Sequence, residues 1–428
     1  MKISVVTLGC KVNKYESDAL IENLVLKGYD AFDRLEPADV FVINTCAVTG
    51  EAEKKSRQMV ARCRKLNEDA KIFVCGCASQ NNTKQFLDKD VEYVSGVAAK
   101  IEIAEIIDFY AKKQGKLPKR VENLAKLPKI YEDDMLAKQS RIRAYIKIQD
   151  GCNNFCSYCI IPYLRGRSRS RGIFSVINEA AQLSEDIKEI VLTGINVTDY
   201  KVDGQPALLT LLQQLDGLGK RIRLGSVEDS LVSEEFVKGL AQLSNFCPHF
   251  HLSLQSGCDS VLKRMNRHYT TNQFAQSVAI IRKYFPLAGI TTDVIVGFCE
   301  ESEEEFMQTC KFVKDVKFSQ LHIFPYSKRE GTVAAKLYKD LSGEIKSQRV
   351  QALEKIGAKL KTNFIKKNKR ASVLIEEKEG DYFVGYSENY IRCYLPAKDV
   401  KEDPTNRVLN VKIKKCFKDG AIVKIVKS

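Results

Sequence analysis

Three cysteines within eight residues, Cys152-Asn-Asn-Phe-Cys156-Ser-Tyr-Cys159, constrain this chain more than any other feature. Thiols at spacings of four and three can converge on one metal centre. A structural zinc site takes four protein ligands, and this stretch offers three with no neighbouring histidine. Three thiolates on a four-iron cubane leave one iron open, and an open metal position is where a small molecule binds. Three buried structural cysteines are the competing reading. The triplet directly follows the strand-like run Ala144–Ile148. Active-site groups of parallel β/α folds collect where strands end.

The surrounding sequence supplies such a fold. Further strand candidates are Glu189–Thr193, Arg221–Gly225, Phe250–Leu254, Thr292–Val296 and Leu321–Phe324, with helical stretches such as Ser175–Ser184, Asn272–Tyr284 and Glu303–Asp315 between them. Six strand–helix units predict a partial (β/α)6 barrel over 141–365. Upstream, Ile3–Leu8, Val40–Asn44 and Ile72–Cys75 are short β-branched runs separated by amphipathic helices, the pattern of a small parallel α/β domain over 1–105. Residues 106–140, lysine-rich with Pro118 and Pro128, read as a linker. After Lys366 five short alternating segments and the hairpin signal Asp419-Gly420 predict a small antiparallel β-barrel over 366–428. Its Tyr382, Phe383, Tyr386, Tyr390 and Tyr394 suit RNA stacking, although at least half must fill the barrel's core.

Charge points to the partner. The formal net charge is +14, and twelve of those charges lie in Ser140–Gly172 and Lys366–Ser428, at +6 each. Such concentration favours a nucleic acid, against the reading of an ordinary solvated face. No secretion signal or membrane-length apolar run is visible, so the chain is expected to be cytoplasmic, without a membrane partner. In a reducing compartment 14 cysteines imply metal or redox chemistry rather than disulfides.

Cys10, Cys46 and Cys77 are distant in sequence, but each closely follows a predicted strand. Neighbouring parallel strands end on one edge, so these thiols can meet there as a second open three-thiolate site. Cys75 competes with Cys77. It lies within the strand, whereas Cys77 follows Gly76, where the chain can turn towards the edge. Cys63, Cys247, Cys258, Cys310, Cys393 and Cys416 read as core residues.

The C-x3-C-x2-C triplet at the end of a first barrel strand resembles the radical S-adenosylmethionine signature. The wider string Gly151–Arg171 is similar to the methylthiotransferase branch of that superfamily. Thr7-Leu8-Gly9-Cys10-Lys11-Val12-Asn13, Asn44-Thr45-Cys46 and Gly76-Cys77 match its amino-terminal motifs. So do Leu192-Thr193-Gly194-Ile195-Asn196, Leu254-Gln255-Ser256-Gly257, Lys263-Arg264-Met265-Asn266-Arg267 and Phe324-Pro325-Tyr326-Ser327-Lys328-Arg329 in the barrel. The first string resembles the threonylcarbamoyladenosine tRNA methylthiotransferases. The last 60-odd residues resemble the family's RNA-binding TRAM module. Two departures stand out: Gly297-Phe298-Cys299-Glu300-Glu301 where the family usually has Gly-Phe-Pro-Gly-Glu, and Ser226-Val227-Glu228-Asp229 where Ser-Ile-Glu-Pro is typical.

The resemblance implies two 4Fe–4S clusters, one on Cys152, Cys156 and Cys159, the other on Cys10, Cys46 and Cys77. It implies S-adenosylmethionine chelated at the open iron of the first, with Tyr158 against the adenine. A radical from that cofactor would activate carbon 2 of the modified adenosine 3′ of the anticodon, and a methylthio group assembled at the second cluster would be joined there. Gly194, Asn196, Glu228, Gln255, Ser256 and Asp293 are strand-end candidates for holding the cofactor, with loop capping as the alternative for each. Arg165, Arg167, Arg169 and Arg171 are candidates for RNA phosphates, with a salt-bridging surface as the alternative. The implied partners are a tRNA anticodon arm, a sulfur source and a low-potential electron donor such as flavodoxin or ferredoxin. A methylthiotransferase for an isopentenyladenosine tRNA or a ribosomal protein, and a non-catalytic zinc-stabilised RNA-binding protein, are the alternatives.

Overall fold

The β-branched runs of the first hundred residues pair as a five-stranded parallel sheet in the order Asp30–Phe32, Lys2–Thr7, Val40–Thr45, Lys71–Gly76, Tyr93–Val94. The computed structural model describes residues 1–89, 91–98, 100, 102–113, 131 and 142–426. Val40–Thr45 is buried along its whole length because both faces of the sheet are covered. One face packs Phe41, Ile43 and Val74 against Met59 and Cys63 of the helix Gly50–Leu66. The other packs Val42, Phe73 and Cys75 against Leu20 and Leu24 of the helix Lys11–Leu26. The helix Ile103–Lys113 runs across the boundary expected at 105, so the start of the expected linker is helical. Most of the rest of 106–140 lies outside the described residues.

Six parallel strands form the central unit, the third split into Arg221–Leu224 and Ser226–Val227. Arg143–Lys147, Glu189–Thr193 and Arg221–Leu224 make one sheet; Ser226–Val227, His249–Leu252, Gly289–Val296 and Gln320–Pro325 make the next. The bridge between Ile222 and Phe246 links the two. The first strand pairs only with the second and the last only with the fifth, so the barrel is partial. Helices cover its outside, packing Leu211, Val237, Phe274 and Val313 on Ile190, Ile222, Phe250 and Val294.

The long helix Gly343–Lys367 was not evident from sequence. It lies on the last barrel strand, where Gly357 leaves room for Leu321 at 3.5 Å from an ideal Cβ position. It leads into a closed five-stranded barrel of Arg370–Glu379, Tyr382–Ser387, Arg392–Pro396, Val408–Phe417 and Gly420–Ile425. The expectation of a wholly antiparallel barrel needs one correction. Arg392–Pro396 and Gly420–Ile425 pair in parallel, because the chain crosses over through Val408–Phe417 before closing. Phe383 fills this barrel's core. Tyr386 and Tyr390 instead dock the module. Tyr390 stacks on His249 at 4.4 Å and on Tyr386 at 4.7 Å, under the guanidiniums of Arg223 and Arg143.

Arg223 anchors this docking. It pairs with Glu189 at 2.7 Å and donates to the carbonyls of Glu388 and Ser387 at 3.0 and 3.1 Å. Arg223→Met is expected to destabilise the chain by about 3 kcal/mol, since it leaves a buried carboxylate short of its main partner. Thermal unfolding checks the loss. Limited proteolysis is expected to open a new cleavage near residue 368, where the terminal barrel comes free, and an unchanged digestion pattern contradicts this role for Arg223.

Candidate active site

Each amino-terminal cysteine of interest sits just past a central strand of the first sheet. Cys10 caps the helix Lys11–Leu26, Cys46 follows Val40–Thr45 and Cys77 opens the helix Cys77–Asn81. The three strands are adjacent, so the three thiols share one edge. Gly9, at φ +103°, passes so close to Cys46 that a Cβ would lie 2.7 Å from its sulfur. Gly76, at φ +104°, makes the turn that carries Cys77 to that edge. Cys75 points to the opposite face, into the apolar layer of Ile3, Val42 and Tyr93. Burial pushes the Cys46 thiol up to about 11, with Cys77 and Cys10 adding to the shift as neighbouring charges.

Cys152, Cys156 and Cys159 follow the first barrel strand in the same way. Burial raises the Cys152 and Cys159 thiols to about 11 and about 12, and both also feel Cys156. The loop is pinned from the strand-four side: Ser157 Oγ donates to the Arg264 carbonyl at 2.7 Å, and Asn266 Nδ2 donates to the Phe155 carbonyl at 3.1 Å. Arg267 Nη1 donates to Cys156 Sγ at 3.3 Å and its Nη2 pairs with Glu228 at 2.9 Å. Tyr158 packs edge-on to Phe298 at 6.4 Å. Cys299 is buried with Phe298, Tyr326 and Ala334.

The strand-end candidates divide. Gly194 and Asn196 lie beside Gln149, whose Oε1 accepts from the Asn196 amide at 2.8 Å. Both carboxylate oxygens of Glu228 accept from Asn154 Nδ2, at 2.8 and 2.9 Å, so this side chain braces the cysteine loop. Gln255 takes φ +65° where its strand meets the fifth. Asp293 is 30 % exposed inside the barrel and reaches His251 at 3.1 Å. Ser256 is a correction: it is fully buried, and its hydroxyl is turned to Thr309 at 3.2 Å, away from the strand ends.

The four arginines need a larger correction. Arg165 is fully buried. Its Nη1 bonds Glu16 and Asp150 at 2.9 and 3.0 Å, and its Nη2 bonds Asn13 at 2.7 Å. Its Nε donates to Cys77 Sγ at 3.4 Å. Arg171 is equally buried, held by Glu179 and by Tyr15 of the first domain. Arg169 turns inward to the Arg165 carbonyl at 3.0 Å. Only Arg167 of the four is exposed, over the Phe155 ring at 4.5 Å. Alternation along the chain suggested a surface; Arg165 is buried by Asp150 and by Glu16 of the first domain, and Arg171 by Glu179 of the following helix.

Around Arg165 a charge network joins the domains. Glu16 also binds Lys147 at 2.8 Å and Lys100, and Lys147 binds Asp150 at 2.7 Å. Burial alone would raise Glu16, but Arg165, Lys100 and Lys147 hold it well below the usual carboxylate range. On the far side of the partial barrel, Arg329 pairs with Glu53 and Ser327 accepts from the Gly50 amide at 3.1 Å. The first domain thus spans the barrel's open side. Arg267 and Arg329 both lie in strings that resembled the family, but nothing local assigned them a task.

Among the described residues each site offers three thiols, no fourth protein ligand and one guanidinium donating to a sulfur, which suits an open 4Fe–4S cluster. Among the described residues no three His, Cys, Asp or Glu side chains gather tightly enough for one ion. In a cubane each cysteine binds a separate iron, so its thiols stand apart.

Residues 2–97 match the model described as uncharacterized protein family UPF0004, and residues 146–313 match that of the radical SAM superfamily. In fold the chain is similar to TsrM, a radical S-adenosylmethionine methyltransferase from Kitasatospora setae. That likeness has a TM-score of 0.59 at 13% identity, over 78% of this chain and 77% of that one. These findings define a radical S-adenosylmethionine enzyme. The chain is 39% identical to the threonylcarbamoyladenosine tRNA methylthiotransferase MtaB of Bacillus subtilis, over 98% of this chain and 96% of that protein. It is 36% identical to the protein of the same name from Aquifex aeolicus, over 91% and 96%. It is 33% identical to the tRNA-2-methylthio-N(6)-dimethylallyladenosine synthase of Thermodesulfovibrio yellowstonii, over 96% and 95%. The chain belongs to the radical S-adenosylmethionine methylthiotransferase family, whose cofactors are S-adenosylmethionine and 4Fe–4S clusters.

Cys77→Ala is expected to lose roughly half of the iron bound after anaerobic reconstitution, and Cys75→Ala to keep it; iron analysis distinguishes them, and the reverse result assigns the ligand to Cys75. The depressed Glu16 and Asp150 add stability that is complete above their unfolded values of about 4 and is lost as pH falls towards the lower folded ones. Glu16→Gln is therefore expected to lower the melting temperature at pH 7 and to shrink the gap to the parent chain near pH 3, as thermal melts across pH would record.

Proposed function

We propose that this chain methylthiolates carbon 2 of N6-threonylcarbamoyladenosine in tRNA, with Cys152, Cys156 and Cys159 holding the radical-generating cluster and Cys10, Cys46 and Cys77 the sulfur-donating one. The observation that carries this reading is the reach of Arg165, which touches Cys77 with one nitrogen and, with another, Asp150, two residues before Cys152. Two open sites so joined suit a reaction in which one activates carbon and the other delivers sulfur. When bound, the clusters and S-adenosylmethionine supply one-electron radical chemistry together with transferable methyl and sulfur.

The protein's own residues do the rest. Arg267 and Arg165 stabilise thiolate charge at their sulfurs. Tyr158, Gly194, Asn196, Gln255 and Asp293 line the strand ends and would hold the cofactor there, and Glu228 keeps the cysteine loop in place through Asn154 and Arg267. The target base leaves the anticodon-loop stack to reach this enclosed site. Arg167 and the half-buried Tyr382, beside Phe417 at 5.2 Å with Lys418 close by, are proposed RNA contacts. We assign 1–105 to the sulfur-donating domain, 106–140 to a linker, 141–365 to the radical domain and 366–428 to a TRAM-like RNA-binding module. A low-potential electron donor and a sulfur source complete the reaction, in the cytoplasm with its tRNA. Among the described residues no helix is long and apolar enough to cross a membrane.

Nucleoside mass spectrometry tests the substrate. Expression in a host lacking such enzymes is expected to convert threonylcarbamoyladenosine to its 2-methylthio form. Conversion of dimethylallyladenosine alone moves the assignment to the activity named for the Thermodesulfovibrio relative.

A further inference from the structure

The inside of the partial barrel is chemically unusual. Interiors of parallel barrels are normally filled with branched apolar layers. Here the alternation of each strand turns Ile190, Phe250, Ile290 and Val294 outward to the helices and leaves polar residues facing in. Arg143, Glu189, Arg223 and His249 form a floor, closed from below by Tyr390. Above it stand His251 and His322, 5.5 Å apart, and Asp293. Asp293 is 30 % exposed and His251 14 %, so the lumen is not filled.

The charges of the floor are satisfied within it. Glu189 is shared by Arg223, Arg221 and Arg143, at 2.7, 3.0 and 3.8 Å. Arg143 has Glu376 at 2.7 Å as well. Glu388 also lies within reach of the charges of Arg221 and Arg223, so three guanidiniums face three carboxylates. Asp293 is engaged by His251, whose other ring nitrogen meets Thr291 Oγ1 at 2.9 Å. To this paired floor the first domain adds one more cation, Lys11, the residue after Cys10. The Lys11 side chain is accessible to solvent yet surrounded by protein; its charged surroundings are Tyr390, Arg143, Arg223 and Glu189, and its charge is felt by His249 and His322. Among the described residues no ion pair ends on it.

We propose that this lumen is a subsite for a carboxylate carried by the substrate base, and that Lys11 is its ion-pair partner and a specificity-determining residue. The assignment rests on the threonylcarbamoyl reading above and deepens it. RNA phosphates stay on the strand outside an enclosed site, so an anion entering with an extruded base must be part of the base itself. A threonylcarbamoyl group ends in a carboxylate and a hydroxyl. A dimethylallyl group is a hydrocarbon, which gains nothing from these groups and would strip water from them.

The test uses the reconstituted full chain and three anticodon stem-loop RNAs, bearing threonylcarbamoyladenosine, its neutral carboxamide, or dimethylallyladenosine. Equilibrium binding by fluorescence anisotropy and product formation by mass spectrometry are both read. The parent chain is expected to favour the acid over the amide by at least about tenfold, the scale of one charge-assisted contact. Lys11→Met is expected to abolish that preference and Lys11→Arg to retain most of it. Because each figure is a ratio within one protein, loss of iron from a variant cancels. A parent chain that methylthiolates the acid and amide RNAs equally, or a Lys11→Met variant that keeps the preference, overturns the proposal. A parent chain that modifies only the dimethylallyl RNA overturns the substrate reading beneath it.

Discussion

The buried guanidinium of Arg165 is the constraint on which the arrangement of the molecule turns. Its Nε reaches Cys77, its Nη1 reaches Glu16 and Asp150, and its Nη2 reaches Asn13. Those partners come from the helix after Cys10, the helix opened by Cys77 and the strand end before Cys152. A buried ion network is a weak source of net stability, because desolvation offsets most of the attraction. What it fixes is geometry. A guanidinium with every nitrogen committed has one position in which all partners are satisfied, and the two cysteine edges inherit that position.

The second arginine repeats the device on the other site. Arg267 donates to Cys156 and pairs with Glu228, which in turn holds Asn154 within the cysteine loop. Hydrogen bonds to sulfur stabilise the more anionic state of a cluster, and burial opposes it. Each proposed cluster therefore has one donor aimed at one of its three sulfurs, supplied by a residue whose other bonds are structural. Positioning and electrostatic tuning are carried by the same side chain.

Local pattern made the strands legible, and with them the meeting of Cys10, Cys46 and Cys77, because adjacent parallel strands share an edge whatever loops join them. It also separated Cys77 from Cys75, since Cys75 stays within the strand, facing the apolar layer, and the turn at Gly76 takes Cys77 out of the strand's alternation to the edge. Long-range pairing was not legible. Arg165 and Arg171 stand in a run of alternating arginines that looks like a surface strip. Arg165 is buried partly by Glu16, and nothing near the run announces it; Glu179, eight residues past Arg171, stands in the next helix, where only the fold turns it back. Ser256 failed for a related reason, its hydroxyl being taken by Thr309 of a later helix. The helix Gly343–Lys367 escaped because only scattered residues, such as Leu353 and Leu360, are buried along a mostly charged segment.

An open barrel with a polar interior cannot stand alone, and that fact explains why three modules share one chain. Water would fill a lumen lined by Arg143, Glu189, Asp293 and three histidines, and every electrostatic contrast inside would be damped. The first domain covers the open side through Glu16 and Glu53, and the terminal barrel closes the floor through Tyr390 and the Arg223 contacts. Each cover also contributes to the lumen, Lys11 from one and Tyr390 from the other. The low-dielectric cavity in which a single charge can discriminate between substrates exists only when all three are docked. The buried networks that hold the modules together are, on this view, as much a part of specificity as any residue that meets the substrate.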